Sequence, residues 1–174
     1  IEDHRFYSHF GIDPAGLARA VLKNFTAGRL EQGGSTLTQQ LAKNIFLTQE
    51  RTLSRKVQEA LLSLWLERNY SKDQILELYL TLAPYGGNLE GVRAASWAYF
   101  GREPDSLSPD QIAMLIALPQ SPEARRPDLH PKAAIVARER VLMRLADQGL
   151  FAKDLAAESA DYPAPKRGNF PTLA

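Results

Sequence analysis

Two adjacent carboxylates stand at the start of the chain, in "EDHRFYSHFG", with aromatic residues close behind them. Glu2 and Asp3 lie in a segment without helical periodicity, and Phe6 and Phe10 follow. A carboxylate held in a cleft against aromatic surface has its pKa raised toward neutrality, which suits a general base near pH 7. Taken alone, such a pair is more often a charged surface turn, so the rest of the chain must decide.

A second candidate region is "EQGGSTLTQQLAKN". Glycines followed by Ser35 and Thr36 at a predicted helix start offer backbone N–H groups and hydroxyls to an anion, and Lys43 and Asn44 follow on the same element. An ordinary helix cap after a glycine turn is the alternative. The two amides of "TQQ" are more than a cap requires.

The third region is "RTLSRKVQEA", in which Arg51, Arg55 and Glu59 are four residues apart. If the helix starts this early, they line one stripe with Lys56 beside it. A carboxylate flanked by guanidinium groups is either a structural ion pair or part of an anion site. The cations near a Gly-Ser-Thr helix start favour a pyrophosphate ligand, because guanidinium forks match phosphate oxygens.

Other chemistries find little support in the composition. The 21 Lys and Arg nearly balance the 20 Asp and Glu, so a nucleic-acid partner is not expected. There is no cysteine, and His4, His9 and His130 lack a metal-ligand spacing. We therefore interpret His9 as a hydrogen-bonding scaffold residue.

The elements that must position these residues are helices. Asp13 followed by Pro14 predicts a helix start, with Leu17, Val21 and Phe25 as its buried stripe. Capping boxes of the type Ser/Thr-x-x-Gln predict three more starts, at Thr36, Ser71 and Ser108.

The remaining pattern is helical as well. Leu37, Leu41 and Ile45 form the expected buried stripe of the second helix. Residues 53–69 are predicted to form a helix whose second half is apolar on all sides, which makes this helix central to the core. Further helices are expected in "LEGVRAASWAYF", ended by Gly101, and in "AAIVARERVLMRLADQG". The fold class is all-α, with about seven helices.

Four motifs in this order and spacing, "EDHRFYSHFG", "GGSTLTQQLAKN", "RTLSRKVQEA" and "KDQILELYL", resemble the peptidoglycan glycosyltransferase domain of class A, bifunctional penicillin-binding proteins, glycosyltransferase family 51. The stretch from "LAPYGG" to "LPQSP" is similar to the penicillin-binding protein 1C branch. The resemblance covers nearly the whole chain. It implies a lysozyme-like helical fold with a membrane-facing subdomain between the first two motifs.

The resemblance also implies roles for matching residues. Glu2 matches the catalytic base and Glu59 the second glutamate, with a possible divalent cation, Mg²⁺ or Mn²⁺, at Glu59. The expected substrate-binding and loop-shaping residues are Asp3, Phe6, His9, Gly11, Gly34, Ser35, Thr36, Thr38, Gln39, Gln40, Lys43, Asn44, Arg51, Arg55 and Lys56. Thr81 and Ala137 depart from the family pattern, which has Asn and Arg there.

The implied activity is inverting polymerisation of lipid II into β-1,4-linked glycan, with release of undecaprenyl diphosphate. The implied location is the outer, periplasmic face of the bacterial cytoplasmic membrane, and the implied partners are the glycan strand and a transpeptidase domain of the same protein. Residues 1–160 are expected to form the glycosyltransferase domain, and residues 161–174 a Pro-rich linker toward the transpeptidase domain. A lysozyme-like lytic enzyme and an inactive membrane-docking module are the alternatives.

Overall fold

The computed structural model describes residues 3–19, 34–46, 52–152, 154, 158 and 162–168. The chain divides into two compact units, an N-terminal unit, Glu2–Leu82, and a C-terminal unit that comprises Ala83–Ala174 and Ile1. The β-pairing among the described residues is confined to two isolated bridges, Phe10 with Ile12 and Pro84 with Glu90. The all-α prediction is confirmed.

The N-terminal unit begins with a 3₁₀ turn, Phe6–Ser8, followed by helical residues 14–19, here called α1. Helices α2 (Leu37–Phe46), α3 (Leu53–Asn69) and α4 (Lys72–Leu82) follow. Helix α2 packs against both α3 and α4, so the second motif lies in the middle of this unit.

The C-terminal unit consists of α5 (Val92–Phe100), a 3₁₀ turn (Pro104–Ser106), α6 (Pro109–Ala117) and α7 (Pro131–Asp147). Its core lies between α6 and α7, where Ala113 and Ala117 contact Val141, Leu142 and Leu145. Small alanines on α6 let the larger side chains of α7 approach closely.

The sequence predicts the ends of several helices correctly. Thr36 and Gln39 form a reciprocal capping box at α2, with N–H···O distances of 3.1 and 3.0 Å. Ser71 and Gln74 do the same at α4. Gly101 ends α5 in the left-handed region, at a φ of 67°. Each signal depends on residues within one turn, which is why the sequence shows it.

The predicted burial of the helix faces is partly wrong. Ile45 of α2 is 39% exposed, and the buried positions of that helix are Thr38, Gln39, Leu41 and Ala42. In α1, Leu17 is also half exposed, while Val21 and Phe25 lie outside the described residues.

Helix α3 is not the all-round buried helix that its composition suggests. It buries Glu59, Ser63 and Leu66, whereas Leu61 and Trp65 are exposed. The inward face carries a small residue because the backbone of another segment approaches it. A Cβ on Gly11 would lie 3.0 Å from the carbonyl carbon of Ser63.

Candidate active site

The first motif is held against the second by a buried carboxylate. Asp3 accepts a hydrogen bond at Oδ2 from His9 Nε2 at 2.9 Å and another from the backbone N–H of Leu37 at 3.1 Å. The side chains of Asp3 and His9 are 4% and 3% exposed. Because an ionised carboxylate can only accept, the imidazole carries its proton on Nε2. Asp3 also brings negative charge to the N-terminus of α2, which the helix dipole stabilises.

A second bond joins the same two motifs. The hydroxyl of Thr36 donates to the carbonyl oxygen of Gly11 at 2.6 Å. Both Thr36 and Gly11 are buried, and Gly11 has a φ of 71°, a conformation that favours glycine. Together with the bond from the Leu37 N–H to Asp3, this contact holds the segment 3–11 against the start of α2.

The third motif joins the second through Lys56. Its ammonium lies 2.7 Å from Ser35 Oγ and 2.6 Å from Glu59 Oε2. Glu59 is buried, while the side chain of Lys56 is 48% exposed. A half-exposed ammonium anchored by a buried carboxylate presents positive charge to an anion without losing its position.

At the third motif, the structure differs from the prediction in the ion-pair partner of Glu59. Helix α3 begins at Leu53 with Thr52 as its N-cap, so Arg51 precedes the helix and lies outside the described residues. The ion pair seen at Glu59 is with Lys56, where we expected the guanidinium groups on either side. Arg55 Nη1 lies 3.4 Å from Gln58 Oε1.

The accessible part of the second motif lies on α2 and just before it. Lys43 is exposed in the last turn, and Asn44 and Gln40 are partly exposed. Gln40 Oε1 lies 3.5 Å from the hydroxyl of Tyr79, a weak contact. Gly34 is partly exposed next to Ser35.

The residues expected around the substrate thus separate by exposure. Those with buried side chains are Asp3, Phe6, His9, Thr36, Thr38 and Gln39, and their roles stay predictions. Those open to a ligand are Gly34, Ser35, Gln40, Lys43, Asn44 and Lys56. Glu2, the predicted base, lies outside the described residues.

Sequence reasoning missed two charged residues beside these motifs, Glu67 at the end of α3 and Lys72 at the start of α4. They form an ion pair of 2.6 Å with side chains 3% and 19% exposed. Their separation of five residues spans a helix break, so helical spacing gives no signal. Only the quoted "KDQILELYL", which contains Lys72, pointed to this region.

The possible divalent cation at Glu59 stays a prediction. Glu59 Oε2 faces an ammonium, and no cluster of three or more His, Cys, Asp or Glu residues within the described part of the chain could hold a metal. Divalent cations in proteins usually take several oxygen ligands.

The helical structure and the motif order agree with the class that the resemblance implied, the all-α, lysozyme-like glycosyltransferase domains. A crystal structure of penicillin-binding protein 1A from Haemophilus influenzae shares the fold, with a TM-score of 0.51 and 24% identity over 79% of this chain and 18% of that chain.

The chain belongs to the transglycosylase family, whose sequence pattern matches residues 1–146. It is 47% identical over 162 residues to penicillin-binding protein 1A of Aquifex aeolicus, covering 93% of this chain and 22% of that protein. It is 43% identical over 176 residues to penicillin-binding protein 1C of Escherichia coli, covering 99% and 22%. The chain thus spans about a fifth of the length of these relatives. The predicted family is confirmed, and the assignment to the 1C branch stays a prediction.

No helix within the described residues has both the length and the apolar character needed to cross a membrane.

Proposed function

We propose that this chain is a peptidoglycan glycosyltransferase that polymerises lipid II into β-1,4-linked glycan strands. The observation that carries the proposal, beside family membership, is the Lys56 ammonium between Ser35 and Glu59. A fixed cation at this point suits a reaction whose leaving group is a diphosphate. Cleavage of a glycosidic bond releases no diphosphate, so the cation favours glycosyl transfer over the lytic alternative.

In the proposed reaction, Glu2 takes the proton of the acceptor's 4-hydroxyl group. The oxygen then forms a bond to the anomeric carbon of the donor sugar, and the bond from that carbon to the diphosphate oxygen breaks with inversion. The electron pair leaves on undecaprenyl diphosphate. Asp3 and its bonds to His9 and Leu37 hold the segment next to the base.

Negative charge develops on the diphosphate as it leaves, and fixed positive groups near it lower the barrier. Lys56 is the best-supported group, since its position is set by two contacts. Lys43 is exposed on α2, and Arg55 lies one residue before Lys56. We assign Arg51 the same role from the sequence alone.

The wider setting is also part of the proposal. The polyprenyl donor requires a membrane, so we place the reaction at the outer face of the bacterial cytoplasmic membrane. The relatives are penicillin-binding proteins about five times as long as the matched region, which supports a transpeptidase domain in the same protein. A divalent cation remains a proposal, to be tested by adding Mg²⁺ or Mn²⁺.

The test is incubation with lipid II in detergent or vesicles, with and without divalent cation, beside a Glu2→Gln variant. We expect polymer from the wild type. The polymerisation rate of Glu2→Gln should be about 10²-fold to 10⁴-fold lower, because its amide cannot accept the proton. Wild-type turnover by Glu2→Gln would refute the assignment of Glu2 as the general base. Cleavage of preformed glycan would identify a lytic enzyme, and binding without turnover would identify an inactive module.

A further inference from the structure

A buried carboxylate outside the proposed chemistry joins the second motif to α4. Glu67 Oε1 accepts hydrogen bonds from the hydroxyl of Thr38 at 2.7 Å and from Lys72 Nζ at 2.6 Å. The Thr38 residue is fully buried and the Glu67 side chain is 3% exposed. A carboxylate this deeply buried cannot contact a glycan or a diphosphate without a large rearrangement.

Lys72 carries the connection on to the first motif. Its ammonium lies 4.5 Å from the centroid of the Phe6 ring. Phe6 is 4% exposed and packs edge-on against Tyr7 and His9, with ring centroids 5.1 and 6.3 Å apart. A partly desolvated ammonium over an aromatic face is held by the ring quadrupole, and the attraction grows as water is excluded.

A second contact joins the same two places. The hydroxyl of Tyr7, next to Phe6, donates to Asp73 Oδ1 at 3.1 Å, next to Lys72. The 3₁₀ turn of the first motif therefore rests on the first turn of α4. The ion pair with Glu67 fixes the ammonium on which that turn rests.

We propose that Glu67 and Lys72 are positioning residues that set the distance between the base-bearing segment and the second motif. The path runs from Phe6 through Lys72 and Glu67 to Thr38. Without Glu67, the Lys72 ammonium turns to solvent and the Phe6 ring loses its support, although no group that touches substrate has changed. This inference rests on the proposed glycosyl transfer, in which small displacements of a base are costly.

The experiment uses the intact chain with four variants: Glu67→Gln, Lys72→Met, the double variant and Lys72→Arg. We expect kcat on lipid II to fall at least about 10-fold in both single removals, with KM within about twofold, because geometry and not ligand contact is lost. The double variant should be no worse than the poorer single variant, since both interrupt one path. Lys72→Arg should recover most of kcat, because a guanidinium keeps the ion pair and the ring contact.

A control outside this path is Glu103→Gln, which breaks the more exposed 2.6 Å ion pair of Glu103 with Arg93 in the C-terminal unit. It should leave kcat unchanged. Hydrogen exchange of residues 3–11 supplies a readout that needs no substrate. Exchange there should rise in Glu67→Gln and Lys72→Met, and not in Glu103→Gln.

Three results would overturn the inference: unchanged kcat and exchange in both single variants, a rise in KM that accounts for the loss, or additive effects in the double variant. If Glu67→Gln does not fold, the comparison of Lys72→Met with Lys72→Arg decides. If the wild type makes no polymer, the proposed function fails, and exchange in residues 3–11 alone decides whether the pair positions this segment.

Discussion

Lys56 is the side chain through which the second and third motifs meet. The sequence suggested guanidinium groups on either side of Glu59, whereas the structure places Lys56 against it, three residues earlier on the same helix face. Lysine is a compact ammonium with three donors, so it can serve Ser35 and Glu59 at once and still turn a third N–H toward a ligand.

We predict that Lys56→Met weakens donor use and also destabilises the chain. The substitution leaves Glu59 buried without this partner, at a cost of about 1–3 kcal/mol, lowered by the exposure of Lys56 itself. The measurements are KM and kcat for lipid II and urea denaturation. Lys56→Arg serves as the control. It should keep the stability, because the charge beside Glu59 remains, but it should not keep both contacts, to Ser35 Oγ and to Glu59 Oε2.

If the stability falls in Lys56→Met while KM and kcat stay at wild-type values, Lys56 is structural only. A double-mutant cycle with Glu59→Gln separates the pair's own coupling from the separate effects of the two residues.

At the residue scale, the sequence identified which residues matter better than what they contact. The carboxylate of Asp3, the hydroxyl of Thr36 and the carboxylate of Glu59 all lie among the predicted motifs. The partners of Asp3 and Thr36, which are Leu37 and Gly11, are set by three-dimensional approach between segments 34 and 25 residues apart. Such pairs leave no trace in local spacing, and Glu67 was missed for the same reason.

Among the helices, the start of α1 depends on a titratable cap. Asp13 is 6% exposed, and a hydrogen bond from the backbone N–H of Gly16 holds the pKa of its carboxyl below 3.8, helped by Arg5 and Arg19 at 3.7 and 3.6 Å. A carboxylate in this position also complements the helix dipole.

We predict a pH-dependent stability difference between the wild type and Asp13→Asn. Asparagine keeps the cap bond but not the charge, so the wild type should be more stable by about 0.3–1 kcal/mol near neutral pH. Because the pKa of Asp13 is lowered in the folded state, this advantage is present above the ordinary pKa of an aspartate and is lost as pH falls through the lowered, folded-state pKa. Urea denaturation of both proteins from pH 7 to 2.5 measures it, and a gap that stays constant would contradict the prediction.

The close approach of Gly11 to α3 gives a second prediction for the helices. Gly11 and Gly101 have similar positive φ values of 71° and 67°, but only Gly11 lies against a backbone. A Cβ on Gly11 would be 3.0 Å from the carbonyl carbon and oxygen of Ser63, while one on Gly101 would meet nothing within 4 Å.

Gly101→Ala should therefore cost about 1–2 kcal/mol, which is the price of the left-handed conformation alone. Gly11→Ala should cost clearly more, and polymerisation should fall with it, since the Gly11 carbonyl accepts from Thr36. The two free energies of unfolding are compared by urea denaturation. Equal losses would mean that the first-motif segment moves away from α3 without penalty.

For the helices, the sequence predicted existence and ends well and burial poorly. Capping boxes and terminal glycines are local chemistry, and they placed α2, α4, α5 and α6 correctly. Which face is buried depends on what packs there. The apolar residues of α3 indicated a central helix, yet that helix turns Glu59 and Ser63 inward, where Glu59 pairs with Lys56 and the backbone of Gly11 approaches Ser63.

At the scale of the whole molecule, the Pro-rich stretch near the end is bound to the C-terminal unit over residues 162–168. The carbonyl of Tyr162 accepts from Arg138 at 2.9 Å, and the N–H of Gly168 donates to Ala98 at 2.8 Å. Arg167 also donates to Asn88. The proposed domain boundary near residue 160 stays a prediction. These bonds hold Tyr162, Arg167 and Gly168 against the C-terminal unit.

The last prediction tests this contact by deletion. Removing residues 162–174 takes away the hydrogen bonds just named for Tyr162, Arg167 and Gly168, each worth about 0.5–1.5 kcal/mol, including one from the buried Arg138. We expect faster hydrogen exchange in α7 around Arg138 and in residues 86–88, with no change in residues 34–46 of the N-terminal unit. Removing only residues 169–174 keeps all three bonds and is the matched control. If both deletions give the same exchange pattern, residues 162–168 contribute nothing to the stability of the unit, and the linker begins before Tyr162.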